Sequence, residues 1–210
     1  MPIAASLDLS SISSAVARAT GSPCALVADG GATAVAGGSA VAVSDSETGA
    51  RYFLKTGSAR ALHMEFSGVR ALERTGTIRV PKAIASSSPA DTAGGFVVFE
   101  HLPLAGPGPG CYERLGADLA RLHQADVGRS FGFPIDGTCG SSKQVNTPMT
   151  ENYKEFYLEN RVDFMFELCD GLGYGEGKVG DVREKIGRVI GERDVRPSLL
   201  HGDLWSGNKG

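Results

Sequence analysis

The chain has 210 residues, 41% of them hydrophobic, and a formal net charge of −3, which allows one large or two small lobes with a real core and gives no electrostatic basis for binding nucleic acid or an anionic membrane. No apolar run approaches the roughly 20 residues of a membrane span. Cys24, Cys111, Cys139 and Cys169 show neither metal-ligand spacing nor a dense disulfide framework, which predicts reduced thiols in a cytoplasmic or plastid compartment.

Residues 1–22 read as an amphipathic N-terminal helix. Leu9, Ile12, Val16 and Ala19 recur at helical spacing, and Gly21-Ser22-Pro23 stops it. The Ser- and Ala-rich composition also suits a transit peptide, but Asp8 and the single Arg18 count against that. Residues 23–102 form the expected small lobe. Short runs at 25–28, 33–36, 39–43 and 51–56, broken by glycine, predict antiparallel strands joined by hairpins. One turn falls at 45–49 and another at Gly37-Gly38-Ser39. Small residues there would leave backbone N–H groups open to a phosphate, although a double glycine also makes an ordinary hairpin turn. Lys55 closes the last of these strands. A strand-terminal lysine is by itself an edge or solvent residue.

Residues 59–74 predict a helix with an apolar face of Leu62, Phe66, Val69 and Leu72. Glu65 lies near its start and Glu73 at its far end. A strand over 77–81 stopped by Pro81 follows, then a polar loop at 86–95. A buried strand over 95–102 runs into the Pro- and Gly-rich segment 103–110, a composition shift that marks a lobe boundary. Residues 103–210 read as mainly helical. Leu115, Leu119 and Leu122 space one helix, which ends at His123. Phe131-Gly132-Phe133 and a polar loop over 139–146 come next. A helix over 151–168 carries an aromatic stripe, most often a core feature, and another covers 179–192.

The most informative stretch closes the chain: His201-Gly202-Asp203-Leu204-Trp205-Ser206-Gly207-Asn208, after the apolar lead-in 197–200. In protein kinases the catalytic loop places Asn five residues after its Asp, and Asp203 and Asn208 stand at that spacing. Phosphoryl transfer needs a carboxylate to orient and deprotonate the attacking hydroxyl and an oxygen ligand for magnesium. Either residue alone would be an ordinary turn former. The whole string closely resembles the catalytic loop of the fructosamine/ketosamine kinases, a branch of the aminoglycoside phosphotransferase and choline kinase group. The resemblance extends over about 25–208. It includes the Lys55 and Glu65 positions, Arg79-Val80-Pro81, the Leu-His at 122–123, the Gly-Phe at 132–133 and the Gly-Ser…Gln-x-Asn loop. Lys143 departs from the Pro that family would have there. Some relatives carry Cys directly after the Gly-Gly turn, and Ser39 in its place argues against a thiol switch.

The resemblance implies an α+β, protein-kinase-like bilobal fold, with a small antiparallel-sheet lobe and an incomplete, mainly helical large lobe. It implies ATP and Mg2+ as cofactors, and a glycated protein or small-molecule ketosamine as substrate, phosphorylated at the sugar 3-hydroxyl. Asp203 would be the base and Asn208 a magnesium ligand. Lys55 and Glu65 would grip the nucleotide phosphates, with Gly37, Gly38 and Ser39 over them. Glu100, His101 and Leu102 would meet adenine through their main chain, and Ser141, Gln144, Asn146 and Trp205 would meet the acceptor. Kinases place a second metal-binding Asp beyond this loop, so its absence before Gly210 predicts a truncated product of low activity. The alternatives are a kinase of an aminoglycoside- or choline-like hydroxyl compound, or a non-catalytic nucleotide-binding protein.

Overall fold

The computed structural model describes residues 8–35, 38–139, 142–170, 179–191 and 194–205. They form two compact units: the first runs to Leu122 and resumes at His201, and the second spans His123–Leu200.

The first unit is built on an antiparallel sheet of six strands: β1 (Leu26–Ala28), β2 (Thr33–Val35), β3 (Gly38–Asp45), β4 (Arg51–Gly57), β5 (Ala83–Ser86) and β6 (Gly95–Glu100). The order across the sheet is β1-β3-β4-β6-β5, and β2 pairs with β3. Helix α1 (Leu9–Thr20) starts at Asp8, whose carboxylate accepts the Ser10 N–H at 2.9 Å, and ends at Gly21 with φ 73°. That left-handed stop suits glycine, which has no Cβ to clash. Helix α2 (Ala59–Thr75) follows β4 and ends in the same way at Gly76, φ 61°.

The two helices explain the burial pattern of β6. Successive strand residues point to opposite faces. Phe96 and Val98 enter a cluster with Ile12 and Val16 of α1 and with Leu26, Val43 and Leu54, whereas Val97 and Phe99 pack with Leu62 and Phe66 of α2. Both faces are covered, so β6 reads as an unbroken apolar run.

Three glycines form one rung at an end of this sheet, Gly38 pairing with Gly57 and Gly57 with Gly95. A Cβ at Gly38 would lie 1.9 Å from the Thr56 carbonyl oxygen, and one at Gly95 would lie 2.5 Å from the Ala59 Cα. The second contact shows how the first turn of α2 reaches the sheet: β6 presents no side chain there.

One predicted strand is misplaced. Thr77 and Ile78 form bends, residues 79–82 are irregular, and the strand begins after Pro81, at Ala83. The Lys82 carbonyl accepts the Glu100 N–H at 2.9 Å, and the Glu100 carboxylate takes the Lys82 N–H and the Arg79 guanidinium. These contacts hold 79–82 as an approach to the sheet and start the pairing at Ala83.

Helix α3 (Cys111–Gln124) leads into the second unit. There β7 (Gly137–Cys139) and β8 (Ser142–Gln144) pair antiparallel, so Cys139 and Ser142–Gln144 of the predicted polar loop are paired strand. The single helix expected over 151–168 is instead α4 (Tyr153–Tyr157), a π-helical segment (Leu158–Asp163) and α5 (Phe164–Asp170). Helix α6 (Val179–Gly191) completes the unit. Among the described residues no helix is long and apolar enough to cross a membrane.

Candidate active site

Lys55 and Glu65 meet because the strand and helix periods both direct them to one place. Leu54 is buried in the cluster on the α1 face of β4. Lys55, one residue on, therefore turns to the α2 face, between Ala40 of β3 and Val97 of β6. Those flanking residues are buried, and they line the lysine stem while its head stays accessible. On α2, Leu62 and Phe66 fix the inward face, and Glu65 lies between them. Lys55 Nζ donates to both Glu65 carboxylate oxygens, at 2.7 and 2.9 Å. The side chains are 24% and 37% exposed, so the pair contributes little to folding. Its value is a cation with its position fixed from both sides. Glu73, the other candidate, accepts the Ala83 N–H at 3.4 Å at the far end of α2.

Gly38 and Ser39 lie within β3, not in a turn, and Gly37 is outside the described residues. Ser39 Oγ and Thr56 Oγ1 share a hydrogen bond of 2.7 Å across the strands. The close Thr56 carbonyl is itself sufficient reason for glycine at 38.

At the end of β6 the three expected hinge residues differ. The Glu100 N–H is donated to Lys82 O, and the His101 N–H to Arg51 O at 3.3 Å. The Glu100 carboxyl is held below the usual carboxylate range by the Arg79 guanidinium, helped by the Lys82 N–H, against the opposing effect of burial. The Leu102 N–H has no hydrogen-bond partner among the described residues. Leu102 is thus the one of the three whose backbone donor is open to a ligand, a distinction that no sequence pattern carries.

Residues 201–205 are irregular, with Gly202 at φ 84°. That angle suits glycine and brings the Asp203 N–H to 3.4 Å from His201 Nδ1. Asp203 is exposed, and Trp205 presents an indole that is 58% exposed. Ser206, Gly207 and the expected metal ligand Asn208 lie outside the described residues.

In the second unit, the two stretches quoted from sequence, 131–133 and 139–146, come together at Asn146. Its carbonyl accepts the Phe133 N–H at 3.3 Å. A Cβ at Gly132 would sit 2.4 Å from that same oxygen, and Gly132 has φ 110°. The Asn146 side chain is committed at both ends, Nδ2 donating to Ile135 O at 3.0 Å and Oδ1 accepting from Arg161 Nη2 at 2.8 Å. Its N–H and that of Thr147, with the Thr147 hydroxyl, all donate to Asp136 Oδ1. The Asn146 N–H above all, then the Thr147 hydroxyl and N–H and Lys143, hold the Asp136 carboxyl down at about 2, against the opposing effect of burial. The Gln144 side chain has no hydrogen-bond partner among the described residues, while its backbone pairs with Gly137. Ser141 lies outside them. Neither Asp136 nor Arg161 stands out in the sequence: an Asp before Gly reads as a turn former, and an Arg within an aromatic helix reads as a solvated face.

Among the described residues no group of three or more His, Cys, Asp or Glu is arranged to hold a metal ion. The fructosamine kinase family profile matches residues 9–210. The chain is 34% identical over 161 residues to a "Probable ketoamine kinase" of Synechocystis sp., covering 75% of this chain and 54% of that protein. It is 32% identical over 166 residues to the chloroplastic protein-ribulosamine 3-kinase of Arabidopsis thaliana, covering 75% and 49%. The chain thus spans about half the length of the curated relatives it matches. A crystal structure from Haemophilus somnus 129PT, carrying the provisional name fructosamine-3-kinase, superposes with a TM-score of 0.77 at 20% identity, over 94% of this chain and 66% of that one. That likeness gives the fold, the small antiparallel-sheet lobe and helical lobe of the kinase-like group. With the profile running from the first turn of α1 through the His-Gly-Asp loop, the chain belongs to the fructosamine kinase family.

Proposed function

We propose that this chain carries the phosphotransfer machinery of an ATP-dependent kinase acting on the sugar 3-hydroxyl of ketosamines, ribulosamine or fructosamine, on protein amines. A phosphate at that position makes the adduct labile and frees the amine, which is protein repair. The observation that carries the reading is the two-pronged Lys55–Glu65 ion pair in a chain that also holds His201-Gly202-Asp203. A half-buried lysine whose accessible head is fixed by a carboxylate serves folding little and suits a polyphosphate well.

The roles follow from chemistry. Lys55, oriented by Glu65, would neutralise the α- and β-phosphates. Backbone N–H groups of Gly37, Gly38 and Ser39 would add to the hold on those phosphates. Leu102 would donate its open N–H to the adenine edge, next to Glu100 and His101, whose own N–H groups are engaged. Asp203 would accept the proton of the acceptor hydroxyl as it attacks. Trp205 is proposed to meet the ketosamine; in the second unit, Gln144 is proposed as an acceptor contact, with Asn146 holding its loop and Ser141 near it in sequence. ATP and magnesium supply the phosphoryl group and the neutralisation of its charge when bound. Asn208 is the proposed metal ligand in this chain. Names of relatives add support for the acceptor, ketoamine in Synechocystis and protein-ribulosamine in Arabidopsis. The chloroplastic labels of the plant proteins make a plastid as reasonable a compartment as the cytoplasm. Glycated protein or a small ketosamine is the proposed partner.

The test is an acceptor panel. Protein with ATP and magnesium is offered ribulosamine, fructosamine, an aminoglycoside and choline, and phosphate transfer is measured. Preference for the ketosamines is the expected result. Transfer only to the aminoglycoside or choline would replace this reading with the related small-molecule kinase, and nucleotide binding without transfer to any acceptor would contradict catalysis.

A further inference from the structure

The sugar-facing role proposed for the Gln144–Asn146 loop divides unequally between its two amides, and the division involves a residue outside the loop. The Asn146 amide is engaged by protein at both ends, whereas the Gln144 carboxamide has no hydrogen-bond partner among the described residues, its backbone pairing with Gly137. What engages Asn146 is Arg161. Its guanidinium donates Nη2 to Asn146 Oδ1 at 2.8 Å, and Nη1 to the Val145 carbonyl and to its own neighbour's, Asn160 O, at 2.9 Å. The guanidinium also lies 4.9 Å from the centre of the Phe156 ring. A guanidinium offers several donors in one rigid plane, so one side chain can hold two successive residues of a loop. Lysine cannot: a single ammonium has no fixed fork.

The local helix geometry suits this task. Arg161 falls in the π-helical segment, where Leu158, Asn160 and Val162 are buried. Such π turns recur at functional sites. Burial pushes the Arg161 guanidinium down from its ordinary value, partly offset by nearby Tyr157 and Asp136, yet an arginine stays charged at any physiological pH. Desolvating a cation to tie down a surface loop is a cost that folding alone does not require. Asp136 closes the loop from its other side through the Asn146 and Thr147 N–H groups.

We propose that Arg161 is the positioning residue of the acceptor loop: by clamping Val145 and Asn146 it presents the uncommitted carboxamide of Gln144 to the hydroxyls of the ketosamine. Gln144 is the contact and Asn146 the anchor. The inference rests on the ketosamine reading above, and it assigns that reading's acceptor specificity to one residue pair.

The test compares wild type, Arg161→Lys, Gln144→Ala and the double variant, with Asn146→Ala as an approach from the other end of the clamp. Arg161→Lys should raise KM for the ketosamine about 10-fold, the scale expected when a positioned group is loosened by a fraction of an ångström. Its kcat and its KM for ATP should stay within about twofold. Gln144→Ala should raise the same KM by a similar factor, and the double variant should be no worse than the larger single effect, since both act through one contact. Asn146→Ala should repeat the Arg161→Lys pattern. Additive KM losses in the double variant would overturn the proposal. So would equal losses in kcat and in both KM values, which would mean general damage to the fold. Amide exchange reads the clamp independently of turnover: Arg161→Lys should speed exchange at the Asn146 and Thr147 N–H groups while α6 keeps its protection. Unchanged exchange there overturns the positioning role. A wild type with no ketosamine turnover but with faster exchange in Arg161→Lys would sink the substrate reading and leave the clamp standing.

Discussion

Leu102 carries a proposed function with no side-chain chemistry at all. Its N–H is open because the N–H groups before it are consumed by Lys82 and Arg51. Leu102→Pro removes that donor at a position already extended by the following Pro103. A lost hydrogen bond of about 1 kcal/mol predicts a rise of roughly fivefold in KM for ATP, with KM for the acceptor unchanged. Steady-state kinetics with each substrate varied checks this, and an unchanged KM for ATP would remove Leu102 from the nucleotide site. Asp136 makes a prediction about pH. Its folded pKa of about 2 lies below the ordinary carboxylate value of 3.8, so the unfolded chain binds the proton more tightly. The stability it contributes is fully present above about pH 4 and is lost as pH falls toward about 2. Thermal melting should show this fall, and Asp136→Asn should start less stable at neutral pH and flatten that part of the curve. None of this is legible in the sequence. That the N–H groups of Glu100 and His101 are taken and that of Leu102 is not depends on Lys82 and on Arg51 of β4, and the state of Asp136 on a loop ten residues away.

At the scale of elements, the Lys55–Glu65 pair was expected from the resemblance to kinases, and the structure shows how it forms: alternation on β4 and the apolar stripe of α2 turn both side chains to one place. The hinge strand β6 was readable as an apolar run with both faces covered. Three features were not. Residues Ala83–Ser86 are small and carry little strand signal, and their pairing with β6 is what makes them β5. The π-helical segment has no Pro or Gly to announce it, and follows from how Leu158, Asn160 and Val162 pack. The sequence leaves Gly38 open to two readings, a phosphate-facing residue or an ordinary hairpin turn, and carries no sign of the nearby Thr56 carbonyl, which by itself demands glycine. That difference is measurable. Gly38→Ala should cost about 1–3 kcal/mol, as forced shifts in packed structure do. Gly30→Ala, where a Cβ would meet nothing within 4 Å, should lie within about 0.5 kcal/mol of wild type. Urea unfolding of the two variants settles it, and equal stabilities would show that β3 and β4 separate freely at that end. Asp8→Ala at the start of α1 should cost about 1 kcal/mol through loss of the N-cap. A midpoint unchanged in the same experiment would mean that α1 owes its position to Ile12 and Val16 alone.

For the whole molecule, the central claim joins a fixed phosphate-gripping pair to a carboxylate on the His-Gly-Asp loop. The family and its kinase-like fold were legible from the eight residues 201–208 and the Lys55 and Glu65 positions, since such a string requires a particular chemistry at a particular spacing. The acceptor loop's internal clamp was hidden, because Arg161 lies fifteen residues from Asn146 and meets it only in the folded unit. The most direct test of the claim is phosphate transfer from ATP to ribulosamine by a chain extended to the length of its relatives, as wild type and as Asp203→Asn, with nucleotide affinity measured on both. Asparagine keeps the shape and loses the base, so the account predicts a fall in kcat of roughly 10²–10⁴-fold with nucleotide affinity within about twofold of wild type. Near-normal turnover by Asp203→Asn would contradict it.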